Sequence, residues 1–346
     1  MLIRSHIGAP ATAPYLEPLG HGGDLAAARQ MFPNAPEPFI DLSTGINPYP
    51  YPLPGLSPAL FERLPDRASI RRLAATAAQS YGAPSPDHVL PAPGTQILLP
   101  QVAMLTRPGR AAILRTTYAE HARAATLGGH SVSEVTEAGP LGRADLAVVV
   151  NPNNPDGRIV ARDTLLDVAD ELRPRGGLLV VDEAFADVAP PGASLAGDVR
   201  RGNIVVLRSF GKFFGLAGVR LGFAVAAPSL IHRLDAMLGP WAVAGPAVFI
   251  GDKALADHAW KAQTLTRLAE AVARLDALLA GAALEVVGGT SLYRLTRSSE
   301  AEKLFTHLGR AGILVRRFAE EPACLRWGLP RGEDDWRRLA DALASG

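Results

Sequence analysis

The chain holds one cysteine, Cys324, in 346 residues. A single thiol excludes an internal disulfide and any thiolate-rich metal site, and it fits a reducing compartment. Charge of either sign is also short of any excess: 35 Lys plus Arg stand against 34 Asp plus Glu, a net charge of +1. Proteins that hold nucleic acid through bulk electrostatics need a basic surplus, so no nucleic-acid partner is expected. No apolar run reaches the roughly 18 to 20 residues needed to span a bilayer, and the opening Met1-Leu2-Ile3-Arg4-Ser5-His6 lacks the apolar core of a signal peptide. A soluble cytoplasmic protein without membrane contact is therefore expected. Internal repeats and low-complexity tails are absent too. What is present, 48% hydrophobic and 20% charged residues, is the make-up of an ordinary soluble enzyme. The length suits a large domain plus a smaller one.

Polar clusters recur where apolar strands end. Residues 146–150 are unbroken Leu-Ala-Val-Val-Val and run into Asn151-Pro152-Asn153-Asn154-Pro155-Asp156-Gly157. Residues 178–181 end at Asp182-Glu183-Ala184-Phe185, and residues 204–207 end at Ser209 and Lys212. Residues 111–114 lead to Thr116-Thr117-Tyr118. Continuous apolar strands separated by helical patterns predict right-handed crossovers and a parallel sheet, with the strand ends collected along one rim. The fold class predicted is α/β: a large domain with a mostly parallel sheet flanked by helices, plus a smaller α+β C-terminal domain. The expected bounds are an N-terminal arm over 1–58 joining the small domain, a large domain over 59–235, and a small domain over 236–346.

Lys212 lies among aromatic and small residues, Ser209-Phe210-Gly211-Lys212-Phe213-Phe214-Gly215. Desolvation disfavours an ammonium, and a neutral amine can attack carbonyls. Ser209 and Arg220 beside it suit an anion, arginine offering a planar fork of donors to phosphate. Gly94-Thr95-Gln96 stands at a helix start, where free N–H groups and the helix dipole favour a phosphate. Tyr118, just past a strand end, could stack on a planar ring or simply pack at the sheet margin. His21-Gly22-Gly23 reads either as an anion-meeting turn or as a turn with no ligand. Asp41 to Pro48 reads as a short strand passing into a turn.

Taken together, these motifs resemble the fold-type I enzymes that use pyridoxal 5′-phosphate, and the resemblance covers nearly the whole chain. Asn151 to Gly157 resembles that superfamily's Asn-Pro-Thr-Gly signature, Asp182 to Phe185 its cofactor-aspartate segment, and Ser209 to Arg220 its lysine segment. The resemblance implies that Lys212 is the covalent attachment point and that Asp182 pairs with the pyridine nitrogen. It likewise implies that Asn154 bonds the ring hydroxyl and that Tyr118 stacks on the ring. Gly94, Thr95, Ser209 and Arg220 would hold the cofactor phosphate, with Gln96 beside them. No metal is implied. A carboxylate beside the pyridine nitrogen keeps it protonated, so the ring can accept electrons from the substrate's α-carbon.

Two subfamilies are similar to this chain: the histidinol-phosphate aminotransferases and the threonine-phosphate decarboxylases of cobalamin biosynthesis. His21-Gly22-Gly23, Asp41 to Pro48, Pro240-Trp241-Ala242-Val243 and Ile313-Leu314-Val315-Arg316 resemble the second group more closely. That implies loss of CO2 from O-phospho-L-threonine to give aminopropanol phosphate, with His21, Arg316 and Arg326 near substrate anions and Asn47 beside them. Arg316 could equally be a solvated strand-end charge. Amino transfer of the histidinol-phosphate kind is the alternative reaction, and a non-catalytic ligand-binding protein on the same fold is a further one. The same arginines could serve decarboxylation or transamination, because the two differ in which bond stands perpendicular to the ring. Relatives are homodimers, which implies the same here. Four positions depart from the family pattern. Phe185 stands where a tyrosine is common, Leu64 where a tyrosine reaches the partner's cofactor phosphate, Asp156 where a threonine is usual, and Pro93 where an asparagine more often precedes the glycine.

Overall fold

A computed structural model describes residues 21–53 and 55–345. Residues 1–20 of the expected arm lie outside the described residues. From residue 21 the chain runs through helix α1 (Leu25–Met31), strand β1 (Ile40–Leu42), a single turn α2 (Ala59–Glu62) and α3 (Arg67–Tyr81). Next come β2 (Val89–Ala92), α4 (Leu98–Ala103), β3 (Arg110–Leu114), α5 (Glu120–Leu127) and β4 (Ser131–Val135). Then follow β5 (Leu146–Val150), α6 (Arg162–Leu172), β6 (Leu178–Asp182), β7 (Ile204–Ser209), α7 (Phe210–Phe213) and β8 (Gly222–Ala226). After α8 (Pro228–Leu238) and α9 (Gly245–Ala256), the long α10 (His258–Gly281) leads to β9 (Glu285–Thr290) and β10 (Tyr293–Arg297). The chain closes with α11 (Ala301–Arg310), β11 (Ile313–Arg317), β12 (Cys324–Gly328) and α12 (Glu333–Ala344).

Local chemistry explains the boundaries that matter for the site. The α3 helix starts where the Asp66 carboxylate accepts the backbone N–H of Ser69 at 2.6 Å, and it stops at Gly82, whose φ of 73° few other residues tolerate. Its inner face is Leu73, Ala74, Ala77, Ala78 and Tyr81, the 3.6-residue spacing legible in the sequence. Strands β5 and β6 are buried at every position, as strands covered on both faces must be.

Seven strands form the larger sheet in the order β2-β8-β7-β6-β5-β3-β4. Strands β4, β3, β5, β6 and β7 run parallel, while β8 is antiparallel to both β7 and β2. Pairing of Val150 with Asp182, and of Asp182 with Leu207, brings the ends of β5, β6 and β7 to one rim. The second sheet, β1-β11-β12-β10-β9, is antiparallel except where β1 pairs parallel with β11, Ile40 opposite Ile313. The arm's strand β1 thus belongs to a sheet whose other strands come from residues 285–328.

Residue 235, the expected division, falls inside α8 (Pro228–Leu238), and α9 beyond it packs on α3 of the large layer. Thr76 Oγ1 donates to Asp252 Oδ1 at 2.6 Å, and Gly251 lies so near Leu221 that a Cβ there would meet its side chain at 2.4 Å. The crossing to the second sheet is made by α10. Strands β4 and β8 were not anticipated: Ser131–Val135 is an edge strand with largely solvated side chains, and Gly222–Ala226 directly follows the lysine segment.

Candidate active site

Four strand ends of the large sheet, β3, β5, β6 and β7, and the start of α4 assemble the site. Asp182 ends β6 and is 5% exposed. Its Oδ2 meets His121 Nε2 at 2.8 Å, and its Oδ1 accepts the Ala184 N–H at 3.0 Å. The next residue, Glu183, is fully buried and accepts hydrogen bonds from Ser194 Oγ at 2.6 Å, the Leu195 N–H at 2.7 Å and Arg208 Nη1 at 3.0 Å. Burial pushes the Glu183 carboxyl upward, opposed by the Arg208 guanidinium. Arg208 also pairs with Asp187 at 3.0 Å and lies over the Tyr81 ring at 4.3 Å. This buried ionic cluster fixes the backbone that carries Asp182.

Lys212 follows β7 on the short α7 and is partly buried, its Nζ 5.9 Å from the centre of the Phe185 ring. Burial first, then the Arg326 and Arg220 cations, bring its amine down to about 8, while Asp182 pulls the other way. Lys212 and Asp182 therefore share one electrostatic environment at the rim. Behind the lysine, Phe210 stacks on Phe214 at 4.5 Å and Phe214 on Trp260 of α10 at 5.5 Å. Asn47 clasps the same loop from the arm: its N–H donates to the Lys212 carbonyl at 2.9 Å, and its Nδ2 donates to the Phe213 carbonyl at 2.8 Å. Its Oδ1 accepts the Tyr49 N–H at 2.8 Å. The Asn47 side chain is thus committed to the lysine loop and to its own turn.

Glycine is required beside Arg220. Gly94 has φ of 84°, and a Cβ there would lie 2.7 Å from Arg220 Nη2. Gly222, opposite Ser209 in the β7–β8 pairing, would likewise drive a Cβ to 2.7 Å from the Thr95 N–H. The two close approaches draw Thr95, Ser209 and Arg220 into one cradle. Gln96 is engaged elsewhere: its Oε1 accepts the Tyr118 hydroxyl at 3.1 Å, and its Nε2 donates to Glu120 Oε2 at 2.8 Å. Burial, with Glu120 and Asp182 nearby, pushes the Tyr118 phenol up to about 12, so it remains a donor at neutral pH. His121 meets the Tyr118 ring edge-on at 6.0 Å.

Arg326 on β12 is 6% exposed. Its Nη1 donates to Asn154 Oδ1 and its Nη2 to the Ser43 carbonyl at 2.8 Å, while its buried Nε meets no hydrogen-bond partner among the described residues. Burial brings its guanidinium down to about 10, helped by Arg316 and opposed by Tyr293 and Asp41. A buried guanidinium with one donor unspent suits an incoming carboxylate or phosphate. Arg316 stands opposite Arg326 in the β11–β12 pairing and is partly buried. Desolvation lowers its guanidinium, and the Tyr118 phenol acts on it in the opposite sense. His21 reaches the same mouth, its Nε2 3.1 Å from Glu120 Oε1 and its ring 5.9 Å from that of Tyr118.

The donor set fits a phosphorylated pyridine aldehyde. An amine of lowered pKa, a buried carboxylate held by two hydrogen bonds and a glycine-lined cradle beside an arginine lie along one rim of the sheet. Lys212, Asp182, Asn154, Tyr118, Thr95, Ser209 and Arg220 are the residues that would hold such a group.

The sequence matches the family "Aminotransferase class I and II" over residues 60–343. The chain belongs to the class I and II aminotransferase family. A threonine-phosphate decarboxylase from Sinorhizobium sp is 45% identical over 332 residues, covering 94% of this chain and 98% of that protein. One from Pseudomonas aeruginosa is 42% identical over 328 residues, covering 94% and 97%. The solved histidinol-phosphate aminotransferase of Sinorhizobium meliloti, in complex with pyridoxal 5′-phosphate, superposes with a TM-score of 0.78 at 20% identity, covering 99% of this chain and all of that one. This last likeness speaks to the family's fold.

Sequence reasoning missed His121, Glu120, Ser43 and the Glu183–Arg208 cluster. The signal for the first two was present. Tyr118-Ala119-Glu120-His121 puts two titratable side chains on a helix start immediately past a strand end. Of the family departures, Phe185 packs edge-on against Tyr293 at 5.1 Å, and Gly45 fits between the two because a Cβ there would touch both rings. Asp156 bonds Asn153 Nδ2 at 2.7 Å and Arg158 Nη1 at 2.6 Å, holding its turn as an acceptor-only side chain can.

Proposed function

We propose that the chain is a pyridoxal 5′-phosphate enzyme that decarboxylates O-phospho-L-threonine to (R)-1-amino-2-propanol O-2-phosphate, a step of cobalamin biosynthesis. The observation that carries this reading is the concentration of anion-binding groups at one mouth. Arg326 with its unspent Nε, Arg316 and His21 suit a substrate with two anionic ends, and the relatives of 42–45% identity are threonine-phosphate decarboxylases. Bound cofactor supplies an electron sink for the pair left when the Cα–carboxylate bond breaks. The protein's own residues do the rest. Asp182, held by His121, would keep the nitrogen of a bound pyridine protonated, and Tyr118 would help to hold the group. The arginines and His21 grip the substrate's anions, and Lys212 Nζ delivers to Cα the proton that replaces departing CO2.

Incubation of purified protein with carboxyl-labelled O-phospho-L-threonine tests the reading. Release of labelled CO2 without any keto acid supports it. Consumption that depends on 2-oxoglutarate would establish amino transfer instead, and inertness with cofactor still bound would establish a ligand-binding protein.

A homodimer in the cytoplasm completes the proposal. Phe61 and Leu64 around α2 and Trp241 before α9 are 60–66% exposed, an unusual outlay of large apolar side chains on adjacent segments. The Gly245 backbone at the start of α9 lies directly against the Leu60 carbonyl, which joins those segments into one face suited to a second copy. Light scattering of the purified protein reads its mass, and a monomer at micromolar concentration would contradict the dimer. Cys324 is buried and free, consistent with a reducing compartment.

A further inference from the structure

The first residue of α5, Glu120, carries a carboxylate with a 6% exposed side chain in the middle of a polar chain. Its Oε1 takes His21 Nε2 at 3.1 Å. Its Oε2 takes Gln96 Nε2 at 2.8 Å and Arg123 Nη1 at 3.4 Å. Gln96 in turn accepts the Tyr118 hydroxyl at 3.1 Å. Four side chains from three separate segments are thus tied through one buried acceptor, which also profits from standing at a helix N-terminus.

The arm residue in this chain is held from the other side as well. The Gly23 N–H donates to Ser43 Oγ at 2.7 Å, and Gly22 sits so close that a Cβ there would lie 2.4 Å from the Ser43 carbonyl oxygen. That carbonyl is the one that accepts Arg326 Nη2. The turn bearing His21 is therefore stitched to the Arg326 region by its backbone and to the large layer by its imidazole. His21 itself is 45% exposed at its side chain, so without a partner its rotamer would be free. Glu120 is what fixes it.

We infer that Glu120 is a positioning residue for recognition of the substrate's phosphate, acting through His21. This rests on the reading that the site takes a phosphorylated amino acid. Glu120 has no direct part in breaking or making bonds. It orients the imidazole at the mouth, so its loss weakens selection of phosphorylated over unphosphorylated ligand while chemistry, once substrate is seated, proceeds.

The test uses purified holoenzyme, with wild type, Glu120→Ala, Glu120→Gln, His21→Ala and the Glu120→Ala/His21→Ala double variant. Dissociation constants for O-phospho-L-threonine and L-threonine are read from the perturbation of the bound cofactor's visible spectrum, and KM and kcat from CO2 release. Glu120→Ala is expected to raise KM for O-phospho-L-threonine at least about tenfold, with kcat within about threefold of wild type. The ratio of the two dissociation constants should fall by a similar factor. Glu120→Gln keeps one acceptor oxygen and should recover part of the loss. On the His21→Ala background the Glu120 change should add little, because the two act as one unit. Multiplicative effects in the double variant, an unchanged affinity ratio, or a fall confined to kcat would overturn the inference. If wild type itself shows no preference for the phosphorylated ligand, the substrate reading fails and this inference with it. If wild type shows the preference and Glu120→Ala retains it, only the role of Glu120 fails.

Discussion

Capture of cofactor by the apoprotein should titrate with Lys212, and the structure fixes the sign and size of the effect. Only the unprotonated amine attacks an aldehyde. Burial and the Arg326 and Arg220 cations lower this amine from 10.5 to about 8. At about pH 7.5 an amine with pKa near 8 is about one quarter neutral, against about one part in a thousand for an ordinary lysine, a gain of roughly 200-fold. The protonated form dominates below the lowered pKa, so the second-order rate of capture should fall about tenfold for each pH unit below 8 and level off above it. Stopped-flow absorbance after mixing apoprotein with pyridoxal 5′-phosphate across about pH 6 to 10 reads this curve. Arg326→Met removes the strongest neighbouring cation and should move the midpoint upward. A rate that keeps climbing log-linearly through pH 10 would refute the argument, as would a midpoint indifferent to Arg326.

Three further outcomes follow from the site. Lys212→Ala should abolish both turnover and the visible absorbance of lysine-bound cofactor; a borohydride-reducible protein–cofactor link surviving in that variant would show that another lysine is the attachment point. Gly94→Ala must place a Cβ 2.7 Å from Arg220 Nη2 at a backbone φ of 84°, so its dissociation constant for cofactor should rise at least about tenfold, as equilibrium dialysis would show, with circular dichroism unchanged. Glu183→Ala removes one of the two carboxylates paired with the buried Arg208, leaving Asp187 at 3.0 Å, and should cost roughly 2–3 kcal/mol in urea unfolding of the apoprotein; a loss below about 0.5 kcal/mol would mean the Glu183 contacts do little to hold the rim.

How much of this was legible beforehand depended on whether a residue announces itself locally. The strands 146–150 and 178–182 are unbroken apolar runs with a polar terminus, and that pattern located Asn154 and Asp182 without any knowledge of their neighbours. Lys212 was legible for the same reason, its aromatic surroundings forecasting the desolvation that lowers its amine. What the sequence hid was partnership. His121 and Asp182 are 61 residues apart and meet only because β3 and β6 flank β5. Gln96, read as a phosphate neighbour from its place after Gly94-Thr95, turns its amide to Tyr118 and Glu120 instead. Asn47 was read beside substrate but serves the Lys212 loop with its side chain. The expected boundary near 235 came from a change in composition, which marks where helices begin, whereas α9 packs on α3 through a contact no local pattern announces.

The parallel pairing of β1 with β11 has a bearing on biosynthesis. Ile40 finds its partner only at Ile313, more than 270 positions downstream, so during translation the leading segment emerges long before the strand that receives it. The large layer can fold around β2 to β8 in the meantime, but the turn carrying His21 has no berth until the ribosome has nearly finished. Competence for substrate therefore arrives last, as a terminal event of synthesis, and a nascent chain arrested before residue 313 would have its lysine and aspartate in place yet no closed mouth.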